Sequence, residues 1–186
     1  MRVIIISDVH NNTTNLKKVL DHCADKKIKE MICCGDLASQ ETLDFLCDNF
    51  SGEIYYTFGN MESGQILGNV HGRRTASPGT SDARYKNVKI FKDYGEANFD
   101  DKKVAFVHYP DKARELCKSG EYEFVFHGHT HKPWVAPVKT SADQGLIRKC
   151  TLLNPGNVAN EIYPPTFAVW DTENDNFELI RINDLR

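Results

Sequence analysis

The chain has 186 residues, of which 40% are hydrophobic and 26% charged, and its formal net charge is -3. This composition is typical of a single globular domain, and the small net charge gives no strong signal for a nucleic-acid or membrane-surface partner. No apolar stretch reaches the roughly 20 residues of a membrane-spanning helix, and the apolar run at residues 3–6 is too short for the core of a signal peptide. We therefore expect one domain over residues 1–186 that acts in the cytoplasm, without contact to a membrane.

Patterns in the first 60 residues alternate between strand and helix. Apolar runs predict strands at residues 2–7, 32–34 and 53–58. Between them, apolar side chains at helical spacing predict two helices, with Leu16, Val19, Leu20 and Cys23 on one face of a helix at 13–26, and Leu43, Leu46, Cys47 and Phe50 on one face of the next. Asn12 is the expected N-cap of the first helix. The alternation predicts an α/β domain with parallel strand pairing.

The second half is richer in strands. It predicts strands at 94–99, 103–107 and 122–127, a helix at 110–119, and further strands without a helix from about 133 to 183. The turn at 100–102 joins the first two of these strands into a hairpin, and Pro110 is favoured in the first turn of a helix. We expect two facing mixed sheets with helices on the outside.

Residues 71–84 interrupt these patterns. They are polar and small and contain Gly and Pro, which predicts an exposed loop or an irregular insertion, and long loops inside compact domains are often functional. Arg73 and Arg74 could bind a phosphate or ribose of a substrate, although a solvated loop is the favoured interpretation. His71 could supply a proton, but a surface histidine is again favoured.

The chain contains six cysteines, at positions 23, 33, 34, 47, 117 and 150. No C-x-x-C pair is present, and the spacings match no zinc motif. Cys33 and Cys34 lie together in an apolar segment, where thiols usually act as small buried hydrophobes. We expect all six to be reduced, as in a cytoplasmic protein.

Side chains of the kind that bind metal ions follow five of the predicted strands. They are Asp8 and His10 after the first strand, Asp36 after the second, Asn60 after the third, His108 after the hairpin, and His129 and His131 after the strand at 122–127. Sites in α/β sheets form beyond the carboxyl ends of strands, and side chains two residues apart in extended chain point the same way. Glycines at 35, 59 and 128 permit close approach of the backbone.

A lone Asp or His at such a position is usually a turn or structural residue. The stretch Gly128-His129-Thr130-His131 has no evident structural need for two histidines, and the whole set is hard to explain by coincidence. Seven ligands exceed the three or four of a mononuclear zinc site, whereas two ions that share Asp36 would use all seven. Such mixed ligation suits manganese, nickel, iron or zinc, and manganese is the favoured expectation.

In this order, the motifs resemble those of the calcineurin-like metallophosphoesterase superfamily. Asn154-Pro155-Gly156 resembles its small single-domain phosphodiesterase branch of bacteria and archaea, and the match runs from residue 2 to about 158. The resemblance implies a four-layer α/β/β/α sandwich with two mixed β-sheets, a dinuclear site, and often a dimer or tetramer. It assigns Asp8, His10, Asp36 and His131 to one ion, and Asp36, Asn60, His108 and His129 to the other.

Two residues of the chain depart from the pattern of the superfamily. Many members place a histidine after Gly-Asn that is proposed to protonate the leaving group, and this chain has Met61, which cannot donate a proton. The small phosphodiesterase branch commonly lacks that histidine too. A glycine often follows the position of His108, and this chain has Tyr109-Pro110. Tyr109 either shapes the substrate pocket or only packs against its neighbours. Without a histidine at position 61 to protonate the leaving group, esters with good leaving groups should be favoured.

We expect a phosphoesterase that acts on small phosphate esters, above all phosphodiesters, through a metal-activated hydroxide. A nucleotide is one candidate substrate. The catalytic set is Asp8, Asp36, Asn60 and His108. One alternative is a non-catalytic interaction scaffold of the same fold, like a retromer subunit, and the complete ligand set favours the enzyme. A second alternative, a nuclease, is disfavoured because the chain has no basic excess.

Four further residues lie within two positions of the expected ligands. Asn11 and Asn12 either orient ligands or substrate near Asp8 or only cap the helix. His127 is expected to pack or to support the ligands from behind, and Lys132 to lie at the rim of the site.

Overall fold

The computed structural model describes residues 1–62, 83–140 and 149–185. Most of the expected insertion, with His71, Arg73 and Arg74, lies outside the described residues. No helix in the described ranges is long and apolar enough to cross a membrane.

The described residues form strands and helices in the following order. The strands are β1 (Arg2–Ile6), β2 (Glu30–Cys33), β3 (Glu53–Thr57), β4 (Ala83–Tyr85), β5 (Val88–Phe91), β6 (Tyr94–Phe99), β7 (Lys102–Val107), β8 (Phe124–Phe126), β9 (Trp134–Lys139), β10 (Lys149–Asn154), β11 (Thr166–Asp171) and β12 (Asn176–Arg181). The helices are α1 (Thr13–Asp25), α2 (Gln40–Asn49), α3 (Pro110–Ser119) and a 3₁₀ turn (Ile182–Asp184).

These strands form two mixed sheets. The seven-stranded sheet has the order β12-β11-β1-β2-β3-β5-β4, and its central strands β1, β2, β3 and β5 run parallel. The five-stranded sheet has the order β6-β7-β8-β10-β9, with β7, β8 and β10 parallel. Parallel neighbours end at the same edge of a sheet, so the loops after them lie together.

Strand β1 shows why its sequence is a continuous apolar run. Val3 and Ile5 pack in the core between the two sheets, whereas Ile4 and Ile6 pack against α1 and α2. All four side chains are fully buried, and each contributes about 1.5–3 kcal/mol by leaving water. A third core lies between the five-stranded sheet and α3. The order of layers is therefore α/β/β/α, as expected.

Most of the predicted elements are confirmed. Helix α3 covers 110–119, β6 and β7 form the antiparallel hairpin, and the Asn12 side chain accepts a hydrogen bond from the Asn15 N–H at the start of α1. The strand expected at 122–127 covers only Phe124–Phe126. Strands β4 and β5 were not predicted, and β4 takes Ala83 and Arg84 out of the expected loop.

The expectation of six reduced cysteines is wrong for one pair. Cys117 and Cys150 form a disulfide that joins α3 to β10, with a Cα–Cα distance of 5.5 Å. The other four cysteines are free and buried. Burial raises the pKa of Cys33 and Cys34 well above the usual range of a thiol, which keeps them protonated and unreactive.

Candidate metal centre

All seven side chains expected to bind metal lie at one edge of the sandwich, where strands of both sheets end. Asp8 and His10 follow β1, Asp36 follows β2, Asn60 follows β3, His108 follows β7, and His129 and His131 follow β8. Strands β1, β2 and β3 are parallel neighbours in one sheet, and β7 and β8 are parallel neighbours in the other. The two sheets therefore deliver their ligand side chains from opposite sides.

The backbone around these residues is held in an uncommon conformation. Five of the seven have positive φ: Asp8 (53°), His10 (45°), Asp36 (58°), His129 (71°) and His131 (58°). A non-glycine residue rarely adopts this region, and such strain concentrates at functional sites. Gly59 and Gly128 allow the neighbouring turns to close in, because a Cβ on either would collide with Asp36 or with Ser7 and Asp8.

One group of ligand atoms surrounds the Asp8 carboxylate. The Oδ1 atom of Asp8 lies 3.4 Å from His131 Nε2 and 3.9 Å from His10 Nε2. The rings of His10 and His131 lie 5.1 Å apart. The backbone N–H of His129 donates to both carboxylate oxygens of Asp8, at 3.2 and 3.1 Å, which fixes the direction of the carboxylate.

A second group surrounds His108. Its Nε2 lies 3.3 Å from Asp36 Oδ2, 3.1 Å from Asn60 Oδ1 and 3.2 Å from His129 Nδ1. Asn60 Oδ1 and His129 Nδ1 are themselves 3.0 Å apart. Four potential ligand atoms thus converge on one small volume.

The hydrogen bonds behind the rings set which nitrogen faces the site. His108 Nδ1 lies 2.8 Å from the Cys34 carbonyl, and His131 Nδ1 lies 3.3 Å from the Glu161 carbonyl. A carbonyl oxygen only accepts, so each Nδ1 carries the proton and donates. The neutral rings of His108 and His131 therefore present an unprotonated Nε2 to the site, which is the form that binds a metal ion.

The residues fit a metal ion well. His10 Nε2 is buried and has no hydrogen-bond partner in the described structure, although buried polar atoms normally find one. The facing ligand atoms stand 3.0–3.9 Å apart, which spans the separation of about 3.4 Å that tetrahedral ligands about 2.1 Å from a zinc-class ion would have. Among the described residues, two sets of ionisable side chains bring their ligand atoms within 4.8 Å of one another, Asp8 with His10 and His131, and Asp8 with Asp36 and His108.

Charge in the site is strongly coupled. Burial raises the pKa of Asp8, but contacts with His10 and His131 outweigh it and hold that pKa well below its usual range. Contact with Asp8 raises the pKa of His10 and of His131. Burial lowers the pKa of His108, but the hydrogen bond and the negative charge of Asp36 have the larger combined effect, so the pKa of His108 is raised. The buried carboxylates therefore attract positive charge, whether protons on the rings or metal ions.

Comparison with known proteins decides the family. The family model of the calcineurin-like phosphoesterase superfamily domain matches residues 1–175. The chain belongs to this superfamily. As a member of it, the chain is a metallophosphoesterase, and the expected family and fold are confirmed.

Individual relatives of the superfamily cover nearly the whole chain. A phosphodiesterase of Methanocaldococcus jannaschii is 27% identical over 183 residues, which is 97% of this chain and 98% of that protein. The solved structure of an archaeal phosphodiesterase has a TM-score of 0.72 at 24% identity, and the match covers 97% of this chain and 99% of that one. Vps29 of Entamoeba histolytica in complex with Zn²⁺ has a TM-score of 0.61 at 17% identity, covering 98% and 100%. These two structures share the fold.

One residue that the sequence analysis did not single out, Glu62, braces this group of candidate ligands from behind. The Glu62 carboxylate accepts hydrogen bonds from the backbone N–H groups of Gly59 (2.6 Å) and Leu37 (3.0 Å) and from the Tyr56 hydroxyl (2.5 Å). One side chain thereby ties the loop that carries Asp36 to the loop that carries Asn60. The signal available in the sequence was a charged residue two positions after Asn60.

The Asn154-Pro155-Gly156 motif braces the histidine loop. Asn154 Nδ2 donates to the Gly128 carbonyl and to the Thr130 hydroxyl, both at 3.0 Å. Asn157, which follows the motif, donates to the carbonyl of His131 at 3.3 Å. The motif therefore positions the loop of His129 and His131, and it contributes no ligand of its own among these contacts.

The remaining residues singled out from the sequence lie around the centre. Asn11 accepts a hydrogen bond from the Thr42 hydroxyl at 2.7 Å, which links the first loop to α2. His127 is fully buried, its ring lies 5.4 Å from that of Trp134, and burial lowers its pKa to about 4. It therefore packs as a neutral ring. Lys132 is exposed.

Proposed function

We propose that this chain hydrolyses phosphodiesters at a centre of two metal ions. The observation that carries the proposal is the position of Asp36. Its Oδ2 atom lies 3.3 Å from His108 Nε2 and 3.7 Å from His10 Nε2, and its Oδ1 atom accepts the Met61 N–H at 2.8 Å. A single free carboxylate oxygen thus faces both groups of ligands, as a bridging ligand would.

The proposed ligand sets follow from the two groups. Asp8, His10, Asp36 and His131 would hold one ion, and Asp36, Asn60, His108 and His129 would hold the other. Mixed imidazole, carboxylate and amide ligation suits manganese, nickel, iron and zinc, and we favour manganese. Buried carboxylates at Asp8 and Asp36 would offset the charge of the ions, because the burial of unpaired charge is costly.

The ions would supply an activated water and neutralise charge on the phosphoryl oxygens. The chain supplies the rest. His108 and His131 are held in the tautomer that leaves Nε2 free. Asn60 and His129 are exposed, so a phosphate group can reach the centre from their side. Met61 offers no proton to a leaving group, so esters that depart as stable anions should react fastest.

A diester substrate is supported by one observation. The relative in Methanocaldococcus jannaschii, which matches nearly the whole chain, is a phosphodiesterase.

The test compares bis(p-nitrophenyl) phosphate with p-nitrophenyl phosphate. The protein is stripped with a chelator and reloaded with manganese, nickel, zinc or magnesium. We expect metal-restored cleavage that favours the diester, and loss of that cleavage in Asp36→Asn. Calorimetric titration of Mn²⁺ into the stripped protein should give about two ions per chain.

One outcome would favour the scaffold alternative. A folded protein that binds metal but cleaves neither ester with any of these ions would contradict the proposal. A stoichiometry of one ion with retained activity would contradict only the dinuclear centre.

A further inference from the structure

Four residues form an exposed rim on one side of the metal centre: Asn60, Met61, Tyr109 and His129. Beneath them, Asp8 and Asp36 are nearly inaccessible, at 0% and 2% exposure. A substrate phosphate that reaches the ligands from this side therefore passes the side chains of Met61 and Tyr109. Neither is a ligand in the proposed centre.

The ring of Tyr109 has a fixed position beside two ligand histidines. Its centroid lies 5.1 Å from that of His108 and 5.2 Å from that of His129. The backbone is extended at Tyr109 (φ -86°, ψ 133°), as the following Pro110 requires, and its carbonyl accepts the first helical hydrogen bond of α3. The side chain remains 43% exposed.

The hydroxyl of Tyr109 has no hydrogen-bond partner among the described residues, so the contacts of this side chain are those of its ring. Met61 adds an apolar thioether that is 49% exposed, and its N–H is tied to Asp36. Ile162 directly follows Glu161, whose carbonyl orients His131. It is 84% exposed with a φ of 63°, which a β-branched residue very rarely adopts.

Single exposed apolar side chains are ordinary on protein surfaces. These three differ because each directly follows a residue of the site: Met61 follows Asn60, Tyr109 follows His108, and Ile162 follows Glu161. The N–H of Met61 also donates to Asp36. The ring of an aryl ester begins two bonds from phosphorus, and a nucleobase lies further away, across the sugar. Because the ring of Tyr109 lies 5.2 Å from that of His129, a phosphate held at His129 would bring either ring within reach of Tyr109.

We propose that Tyr109 is the platform on which a flat aromatic ester group of the substrate, a nucleobase or an aryl ring, stacks beside the metal centre. This inference rests on the proposed function, since it specifies the group on the ester that is not cleaved. Stacking of a base on an aromatic ring is tolerant of base identity, so the site would select for an aromatic substituent and not for one sequence or one base.

The experiment uses two diesters with the same leaving group, bis(p-nitrophenyl) phosphate and methyl p-nitrophenyl phosphate. They differ only in the ester that remains. We expect the wild-type kcat/KM ratio to favour the bis-aryl diester by about tenfold or more after correction for its two leaving groups, and Tyr109→Ala to reduce that ratio about tenfold, or about 1.4 kcal/mol. Tyr109→Phe should keep the ratio, because stacking needs the ring.

A matched control is Leu179→Ala, which removes an apolar side chain of similar exposure (51%) from β12 and should leave the ratio as in the wild type. An unchanged ratio in Tyr109→Ala would overturn the inference. Equal losses in Tyr109→Phe and Tyr109→Ala would also overturn it, because they would assign the effect to the hydroxyl.

A binding measurement separates this inference from the proposed function. Phenylphosphonate and methylphosphonate, which are not hydrolysed, are titrated into the manganese-loaded protein by calorimetry. We expect phenylphosphonate to bind about tenfold more tightly, and Tyr109→Ala to remove the difference. If neither diester is cleaved but this difference is found, the hydrolase proposal fails and the stacking platform stands. If the diesters are cleaved and no difference in binding is found, the hydrolase proposal stands and the stacking platform fails.

Discussion

The metal centre has two regions that differ in burial and in how tightly they are held. We call Asp8, Asp36, His108 and His131 the buried floor, since none of them is more than 7% exposed. The exposed rim of Asn60, Met61, Tyr109 and His129 faces solvent. On the floor, the carboxylates and rings are fixed by backbone N–H and carbonyl groups. The rim side chains Met61 and Tyr109 have far fewer polar restraints.

This difference separates two tasks. Buried charge is tolerated only when each group is paired and hydrogen-bonded, so a change on the floor affects every neighbour. On the rim, Asn60 and His129 are proposed ligands, whereas Met61 and Tyr109 are not and can vary at lower cost. Met61 and Tyr109 are also the two residues that depart from the superfamily pattern. Substitutions on the floor should therefore reduce all activity, whereas substitutions of Met61 and Tyr109 should change which ester is preferred.

The largest effect is expected for Asp8→Asn on the floor. The loss of one buried negative charge removes the partner of His10 and His131 and weakens the hold on the proposed ions. We expect kcat/KM for bis(p-nitrophenyl) phosphate to fall about thousandfold at saturating manganese, or about 4 kcal/mol. Asp111→Asn, an exposed acid in the first turn of α3, is the control. A loss of less than tenfold would show that Asp8 is not needed for the chemistry.

The second effect is a pH dependence of metal binding. Asp8 raises the pKa of His10 and His131, and Asp36 raises that of His108, so these rings keep a proton to a higher pH than free histidine. A metal ion binds only the neutral ring. Binding must therefore displace protons, and affinity should fall as the pH falls, by at most about tenfold per pH unit for each displaced proton.

Calorimetry in buffers of different ionisation enthalpy measures the protons released when Mn²⁺ binds. Affinity that stays constant between pH 6 and pH 8, with no proton release, would mean that these imidazoles are not ligands.

Much of the fold and of the floor could be predicted from the sequence because the signals are local. A strand like β1 is recognised as a run of apolar residues, and each expected ligand lies within four positions after the end of a predicted strand. Parallel pairing then brings those ends together. The seven side chains expected at the site do lie together in the structure, although only metal binding and variants can test their roles.

What could not be predicted depends on contacts between distant segments. The disulfide joins Cys117 to Cys150 across 33 residues, and the pairing requires α3 to pack on β10 in one register. Glu62 acts through backbone N–H groups of Gly59 and Leu37, which a sequence does not display as a pattern. Strands β4 and β5 are short, at three and four residues, so neither has enough length to show a clear period.

A third, intermediate effect is expected for the brace beneath the floor. In Glu62→Gln the side-chain amide would direct an NH₂ group at donors, the N–H groups of Gly59 and Leu37 and the Tyr56 hydroxyl. The loops of Asp36 and Asn60 would then lose their link. We expect manganese affinity and kcat/KM to fall about 30-fold, within the usual range for residues that support metal ligands.

Tyr56→Phe should weaken affinity in the same direction but less, because it removes one of the donors to Glu62. Glu173→Gln, at an exposed position, is the control. Wild-type metal affinity in Glu62→Gln would show that the hydrogen bonds to Glu62 do not position the ligands.

The smallest effect is expected on the rim, for Met61→His. Met61 follows Asn60, its N–H is bonded to Asp36, and its side chain is 49% exposed, so an imidazole there could reach a leaving group without a change on the floor. General acid catalysis by a well-placed group contributes about 10²–10⁴-fold, but a ring with no residues to orient it should contribute only about tenfold. The gain should be much smaller for ethyl p-nitrophenyl phosphate than for a dialkyl diester, because the p-nitrophenolate leaving group needs no proton.

Met61→Gln removes the thioether without adding an acid and is the matched control. Equal gains for both substrates, or a gain in Met61→Gln, would mean that the effect is one of access to the centre, and the rim would then act by shape alone.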